Sequence, residues 1–407
     1  MVWNGTLSPI VNLSSTSPLD STRPIDDAAP GARSSADSTV ADLERPRRII
    51  PRLEDSFLAV LQERAIYYPV CYTFERELGR GRQGRVFVGL RQGARGCVTR
   101  HAIKLFDPSV YPNIKRYWTD MGRIASQVSA LQTLRSPCLV STDTYDEVNG
   151  IGYVQMEIIN GADLREVMRG DYLPGIRQFS TDFDWAIIND AIFRRTKTRL
   201  MLQPGVAVYI LRMMLKGLES LHQAGFVHCD IKPSNVMVDR FGYVKLVDFG
   251  RALKPNERAS VLFGSPLYMA PEIHRRMPAT EQSDLYSVGL VALELLSGKP
   301  LVEGTSIREE DLLAQKLDLP RTLPSRLPEH VRENADLVKA LHKFLEPDPA
   351  KRFPDARSAE TEQEGLRIVH KQLVKTGMDA DYSRMMGTYM SRFVLARAAE
   401  MESAPGK

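Results

Sequence analysis

The chain has 407 residues, 43% of them hydrophobic and 26% charged, with a formal net charge of +4. That composition supports a substantial core and excludes a wholly disordered chain; the length suggests two or three domains, and so small a charge gives no footprint for nucleic acid. No apolar run reaches the ~20 residues that span a bilayer. The longest candidate, Tyr286 to Leu296, is broken by Ser287, Gly289 and Glu294. The N-terminus lacks a basic start followed by an apolar stretch, so no secretory signal is expected. Cys71, Cys97, Cys138 and Cys229 lie scattered without metal-ligand spacing, which fits a reducing, cytoplasmic setting.

In chain order, residues 1–46 are rich in Ser, Thr, Pro, Asp and Ala and read as a disordered tail. Residues 47–71 read as a linker with a short helix, Pro51 in its first turn and Leu53, Phe57 and Leu61 on its apolar face. From Tyr72 the pattern changes. Tyr72–Phe74 and Val86–Val88 read as strands flanking a glycine-rich turn, and His101–Phe106 as a third strand. A helix is expected over Tyr117–Leu134, ending before Pro137, and a further strand over Tyr153–Ile158. Beyond it helices dominate, most clearly Val206–His222 and Ser283–Leu296. Near the C-terminus Tyr382, Met386, Tyr389, Phe393 and Ala396 form a stripe at helical spacing.

The chemistry concentrates in His228-Cys229-Asp230-Ile231-Lys232-Pro233-Ser234-Asn235, followed thirteen residues later by Asp248-Phe249-Gly250. Asp230 can orient an attacking hydroxyl and accept its proton, and Lys232 can neutralise a transferring phosphoryl group. Asn235 and Asp248 offer hard oxygen ligands of the kind Mg²⁺ prefers. This run closely resembles the catalytic loop of protein kinases, with Cys229 where arginine is usual. The resemblance covers about Tyr72 to Val369. It implies an α+β, bilobal fold: a small β-rich N-lobe (72–158), a large helical C-lobe (159–369) with an insertion over 170–203, and ATP with Mg²⁺ in the cleft between them. Residues 370–407 are then a C-terminal helical extension.

The other motifs fall in family order. Gly79, Gly81, Gly84 and Val86 fit G-x-G-x-x-G-x-V; the run continues as strand, not helix, which favours a flap over nucleotide rather than a dinucleotide-binding turn. Ala102-Ile103-Lys104 resembles the strand whose lysine holds the α- and β-phosphates, with Ala102 and Val86 packing on adenine. Met156 to Asp163 resembles the segment joining the lobes. The resemblance implies Met156 behind the base, the backbone of Glu157 and Ile159 at its edge, Asp163 near the ribose and Met237 completing the nucleotide-binding set. Asn235 and Asp248 would hold the metal.

Six positions mark departures or supports. Counting back from Leu131, Leu134 and Pro137 puts Gln127 where the family has the glutamate that pairs with the strand lysine. A glutamine oxygen could still accept from Lys104 at a loss of about 1 kcal/mol, several-fold in rate. Cys229 removes the usual receptor for an activation-segment phosphate, which predicts that phosphorylation at Ser260 or Ser265 matters little; the alternative of a redox-sensitive thiol is disfavoured by the neighbouring aspartate. Glu272, in Met269-Ala270-Pro271-Glu272, should pair with Arg352, and Asp284 should hold the catalytic-loop backbone. Ser265 is expected beside Lys232 and Asp230, and Ser234 weakens a preference for arginine-rich targets.

The resemblance thus implies a serine/threonine protein kinase acting on serine or threonine hydroxyls of protein substrates. The alternatives are a pseudokinase scaffold, for which Gln127 is the best argument, and a small-molecule kinase, against which the Ala270-Pro271-Glu272 segment speaks. The insertion carries Phe183, Trp185, Phe193 and a basic run; it and the C-terminal helix either pack on the C-lobe or offer docking surfaces.

Overall fold

The computed structural model describes residues 41–67, 70–81, 83–196, 199–257, 266–303, 307–375 and 381–403. The tail expected over 1–46 therefore lies outside the described residues up to position 40. Contacts divide the chain into Met1–Arg45 and Pro46–Lys407, and the architecture below is that of the second part.

Helix α1 (Ala41–Glu63) begins earlier than its sequence suggests, so Pro51 lies within it instead of opening it. Its residues Leu53, Phe57 and Val60 are buried in the N-lobe core. This stretch is part of the lobe and not a linker, because an amphipathic helix beside a sheet buries its apolar stripe.

Six antiparallel strands form the N-lobe sheet in the order β1-β2-β3-β4-β6-β5. They are β1 (Ala65–Ile66), β2 (Tyr72–Gly81), β3 (Gly84–Gln92), β4 (Val98–Phe106), β5 (Thr142–Val148) and β6 (Ile151–Met156). Helix α2 (Ile114–Leu131) packs on them through Tyr117, Met121, Ile124, Val128 and Leu131, spaced alternately four and three apart. It starts three residues before the sequence reading because the Asn113 side chain caps it, accepting from the Arg116 N–H at 2.8 Å.

The C-lobe opens with β7 (Gly161–Asp163) and short helix α3 (Leu164–Val167). The insertion folds as α4 (Leu173–Gln178), α5 (Asp182–Ala186), a π-helical turn and a hairpin of β8 (Phe193–Arg195) with β9 (Leu200–Leu202). Helix α6 (Pro204–Gln223) is buried along most of its length. Strands β10 (Val236–Asp239) and β11 (Val244–Leu246) join β7 in a small sheet, β11-β10-β7. Helices α7 (Pro271–His274), α8 (Glu281–Ser297) and α9 (Glu309–Leu317) follow. Helix α8 ends at Gly298, whose φ of +70° and closeness to the Leu200 carbonyl (2.6 Å from a would-be Cβ) leave no room for a side chain.

The C-terminal helix (Tyr382–Ser403) covers the C-lobe. Tyr382, Met386, Tyr389, Phe393 and Ala396 are all buried, as the stripe predicts. It seats on the insertion and on the β10–β11 turn: Phe393 packs on Tyr172 (ring centroids 4.7 Å), Tyr389 on Phe193 (5.0 Å), and Arg392 pairs with Asp184 at 2.8 Å. Among the described residues no helix is long and apolar enough to cross a membrane.

Candidate active site

The β2–β3 hairpin carries the glycine motif, with Gly81 opposite Gly84; Arg82 lies outside the described residues. Gly84 has φ +150°, and a Cβ there would fall 1.8 Å from the Leu105 carbonyl oxygen, so no other residue fits. Register places Val86 opposite Lys104, and Ala102 opposite Met156. With side chains alternating along each strand, these four share one face of the sheet.

Beyond Met156, Glu157 is committed on three counts. Its N–H donates to the Ser141 carbonyl (3.0 Å), and its Oε1 accepts from the Ser141 N–H (2.7 Å) and from Lys245 Nζ (2.6 Å). Only its carbonyl remains for a base edge. The Ile159 N–H has no backbone acceptor among the described residues. Asp163 caps α3, accepting from the Glu166 N–H at 3.0 Å, while Arg165 takes its other oxygen at 2.9 Å. Its carboxylate is thus engaged with its own helix. Met237 sits opposite Asp163 in the β10–β7 pair.

The catalytic-loop run is pinned from below by Asp284 on α8. Its carboxylate accepts from the backbone N–H groups of His228 (2.7 Å) and Cys229 (2.9 Å) and lies 2.9 Å from His222 Nε2. Cys229 takes φ +61°, a strained conformation that these bonds hold in place. Asp230 is buried and ringed by donors: Lys232 Nζ at 2.7 Å, Asn235 Nδ2 at 3.0 Å and Arg251 Nη1 at 3.4 Å. Asn235 Nδ2 also donates to the Asp230 carbonyl at 2.8 Å, so the amide nitrogen is engaged with Asp230 and the oxygen Oδ1 could serve as a hard ligand.

Lys104 Nζ lies 2.5 Å from Asp248 Oδ1, joining the two lobes. Burial would raise the Asp248 carboxyl, but Lys104 first, then Lys232 and Arg251, hold it well below the usual carboxylate range. Asp248 has φ +65°, and the Val247 N–H donates to the Asn235 carbonyl at 3.0 Å, which brings the segments carrying Asn235 and Asp248 side by side. A Cβ on Gly250 would lie 3.0 Å from Gln83 Oε1, 3.4 Å from Asp248 Oδ1 and 3.7 Å from Lys104 Nζ, so glycine hairpin, lysine and aspartate meet at one point. Three cations against two carboxylates leave a net positive charge here, which would favour an anion.

Gln127 is buried on α2 and faces this region, but it does not accept from Lys104 as its position suggests. Its amide nitrogen donates to the Ala252 carbonyl, and its Oε1 has no hydrogen-bond partner among the described residues. One turn earlier, Arg123 donates to the carbonyls of Ala252 (2.9 Å) and Gly250 (2.8 Å). Helix α2 therefore grips the start of the activation segment directly. Lys104 goes to Asp248 because a full carboxylate outbids a neutral amide oxygen.

Arg352 meets Glu272 with two 2.8 Å bonds, as expected, and the Ser283 hydroxyl donates to the same carboxylate. Cys229 packs against the small cluster of Val227, Leu253 and Ala279, and burial pushes its thiol well above its ordinary range. A redox role is thereby disfavoured. Ser260 and Ser265 lie outside the described residues.

Comparison with known proteins agrees with this geometry. The family model described as protein kinase domain matches residues 72–362. The chain belongs to the protein kinase superfamily. The serine/threonine-protein kinase PknD of Mycobacterium tuberculosis is 29% identical over 290 residues, 70% of this chain and 38% of that protein. The mouse serine/threonine-protein kinase ULK3 is 32% identical over 229 residues, 51% of this chain and 47% of that protein. Rat citron rho-interacting kinase is 44% identical over 117 residues, 26% and 6% of the two chains. The aligned part spans less than half the length of each.

Two kinase-site residues escaped the sequence reading. Arg251 follows the Asp-Phe-Gly motif directly, and a cation so close to that motif's aspartate was the available signal. Arg123, four residues before Gln127 on the same helix face, was legible only by spacing.

Proposed function

We propose that the chain is an active serine/threonine protein kinase, transferring the γ-phosphoryl group of ATP to hydroxyls of protein substrates. The observation that carries this reading is the convergence of Lys104, Asp248, Asp230, Lys232 and Asn235, each engaged with another of the set or its backbone. Val86, Ala102, Met156 and Met237 would enclose adenine, with the Glu157 carbonyl and the Ile159 N–H at its edge. The glycines at 79, 81 and 84 would let the flap approach the phosphates, and Asp163 would reach the ribose only by releasing Arg165. Asn235 Oδ1 and the ionised Asp248 fit Mg²⁺, which when bound neutralises charge on the phosphates. Asp230 would hold the acceptor hydroxyl and take its proton, while Lys232 would face the transferring group. Catalysis of this kind is mostly positioning and charge neutralisation.

The pseudokinase reading draws on one observation, that Gln127 Oε1 has no partner among the described residues. Against it stands the complete polar set, since a scaffold has no need to keep Asp230 ringed by donors. For docking, Phe183 on the insertion is 70% exposed and Arg194 and Arg195 are exposed on β8, whereas the C-terminal helix is spent on packing.

The deciding experiment incubates the purified chain with labelled ATP and a generic basic protein, beside Asp230→Asn. We expect the variant to lose about a hundredfold or more. Equal transfer by both would refute the enzymatic reading.

A further inference from the structure

Segment 266–270, which leads out of the activation segment into α7, is held from beneath by a lysine that no motif points to. Lys316 on α9 has no exposed surface. Its ammonium donates to the carbonyls of Pro266 (2.5 Å) and Met269 (2.7 Å) and lies 2.9 Å from His274 Nε2. His274 Nδ1 lies 3.0 Å from Glu309 Oε1 and Nε2 lies 3.2 Å from the Pro266 carbonyl; with its proton on Nδ1 a neutral imidazole serves Glu309, leaving Pro266 to the lysine and Nε2 to accept from it. Three donors then meet three acceptors, which is what a buried ammonium requires. The same segment is held from α8, where the Ser287 hydroxyl donates to the Tyr268 carbonyl at 2.8 Å and the Tyr268 hydroxyl bonds Glu294. An apolar residue would fill this space at lower desolvation cost. The charge is directed at two carbonyls of one loop.

We infer that Lys316 is a positioning residue for the protein substrate, its ammonium fixing segment 266–270 in the shape against which residues flanking the acceptor hydroxyl rest. This rests on the kinase activity proposed above. The groups facing Lys316 are Glu309 on its own helix, His274 and Glu272 on α7, and Tyr286 on α8, whose hydroxyl donates to the Lys316 carbonyl at 3.3 Å. Glu272 is already neutralised by Arg352. Burial pulls the Lys316 ammonium down to about 7, against the two glutamates; burial and the lysine charge likewise pull His274 down. The hold on the two carbonyls therefore weakens as pH rises through neutrality, because a neutral amine makes roughly half-strength bonds.

The test is Lys316→Met, which keeps length and removes the charge. With a generic basic protein as acceptor, KM for that protein should rise about tenfold or more, the loss of at least one charge-assisted bond. KM for ATP, and turnover onto water, should change far less. An unchanged acceptor KM, or equal loss of both activities, overturns the inference. Should the variant not fold, hydrogen exchange on the wild type decides: after correction for intrinsic rates, protection of amides 268–270 should fall between pH 6 and pH 8.5, and constant protection overturns the inference. A wild type that transfers nothing to the acceptor would sink the kinase reading first and this inference with it.

Discussion

Lys104 is paired with Asp248 across the cleft, at 2.5 Å, and not with Gln127 on the neighbouring helix. The N-lobe lysine is thus oriented by a residue of the C-lobe, and helix α2 is tied to the activation segment by separate bonds. Gln127→Glu would gain a carboxylate for Lys104 but lose the donor that serves the Ala252 carbonyl. These effects oppose each other, so kcat should stay within about tenfold of wild type. A thousandfold gain in steady-state assays would show that the glutamine cripples the enzyme.

Helix α2 holds the activation segment through Arg123, whose guanidinium forks onto the carbonyls of Gly250 and Ala252. With Cys229 unable to receive a phosphate, this grip should substitute for phosphorylation. Arg123→Ala is expected to lower kcat about tenfold, the worth of one charge-assisted bond. Ser260→Ala should leave activity within a few-fold, measured on enzyme expressed with and without ATP-dependent autophosphorylation.

Arg251 lies 3.4 Å from Asp230 and helps keep Asp248 ionised. Removing it as Arg251→Met takes one donor from the Asp230 carboxylate, and kcat at pH 7 should fall several-fold. An unchanged kcat in steady-state assays would show that Lys232 and Asn235 suffice to hold the aspartate.

Burial disfavours charge on His222, yet Asp284 at 2.9 Å and Glu281 at 3.5 Å raise its pKa to about 9. A folded-state pKa raised above the unfolded 6.5 stabilises fully below pH 6.5, and that share is lost as pH rises through about 9. It amounts to at most about 3 kcal/mol. Urea denaturation of wild type and His222→Gln should therefore give stabilities that differ most near pH 6.5 and converge above pH 9.

Gly242 has φ +89°, and a Cβ there would meet the Ser383 carbonyl oxygen at 2.0 Å and the Gly387 nitrogen at 2.6 Å. Gly242→Ala should cost roughly 2–4 kcal/mol, from strain plus displacement of the C-terminal helix. A melting temperature equal to wild type would show that the helix is loosely seated.

Much of this architecture was legible because the chemistry sits in short local strings. Asp230 to Asn235 and Asp248 to Gly250 fixed the family, and Asp284 and Glu272 then found the partners expected of them. What escaped is non-local or polar. Strand β5 (Thr142–Val148) carries Thr, Asp and Glu and has no clean alternation, so only its pairing with β6 defines it. Helix α1 runs through a proline that reads as a start signal, because the N-lobe sheet buries its stripe. The orientation of Gln127 depends on which of two acceptors Lys104 prefers, a competition no spacing can reveal.

The C-terminal helix has a consequence for biosynthesis. Tyr172 and Phe193 leave the ribosome roughly 200 residues before the aromatic rings that will cover them, a wait of about 10–40 s at ordinary translation speeds of ~5–20 residues per second. Throughout that interval the nascent C-lobe presents a sticky, greasy flank to the cell. Stalled or prematurely terminated products should accordingly be clients of holding chaperones, and their yield should depend on chaperone supply far more than that of the finished polypeptide.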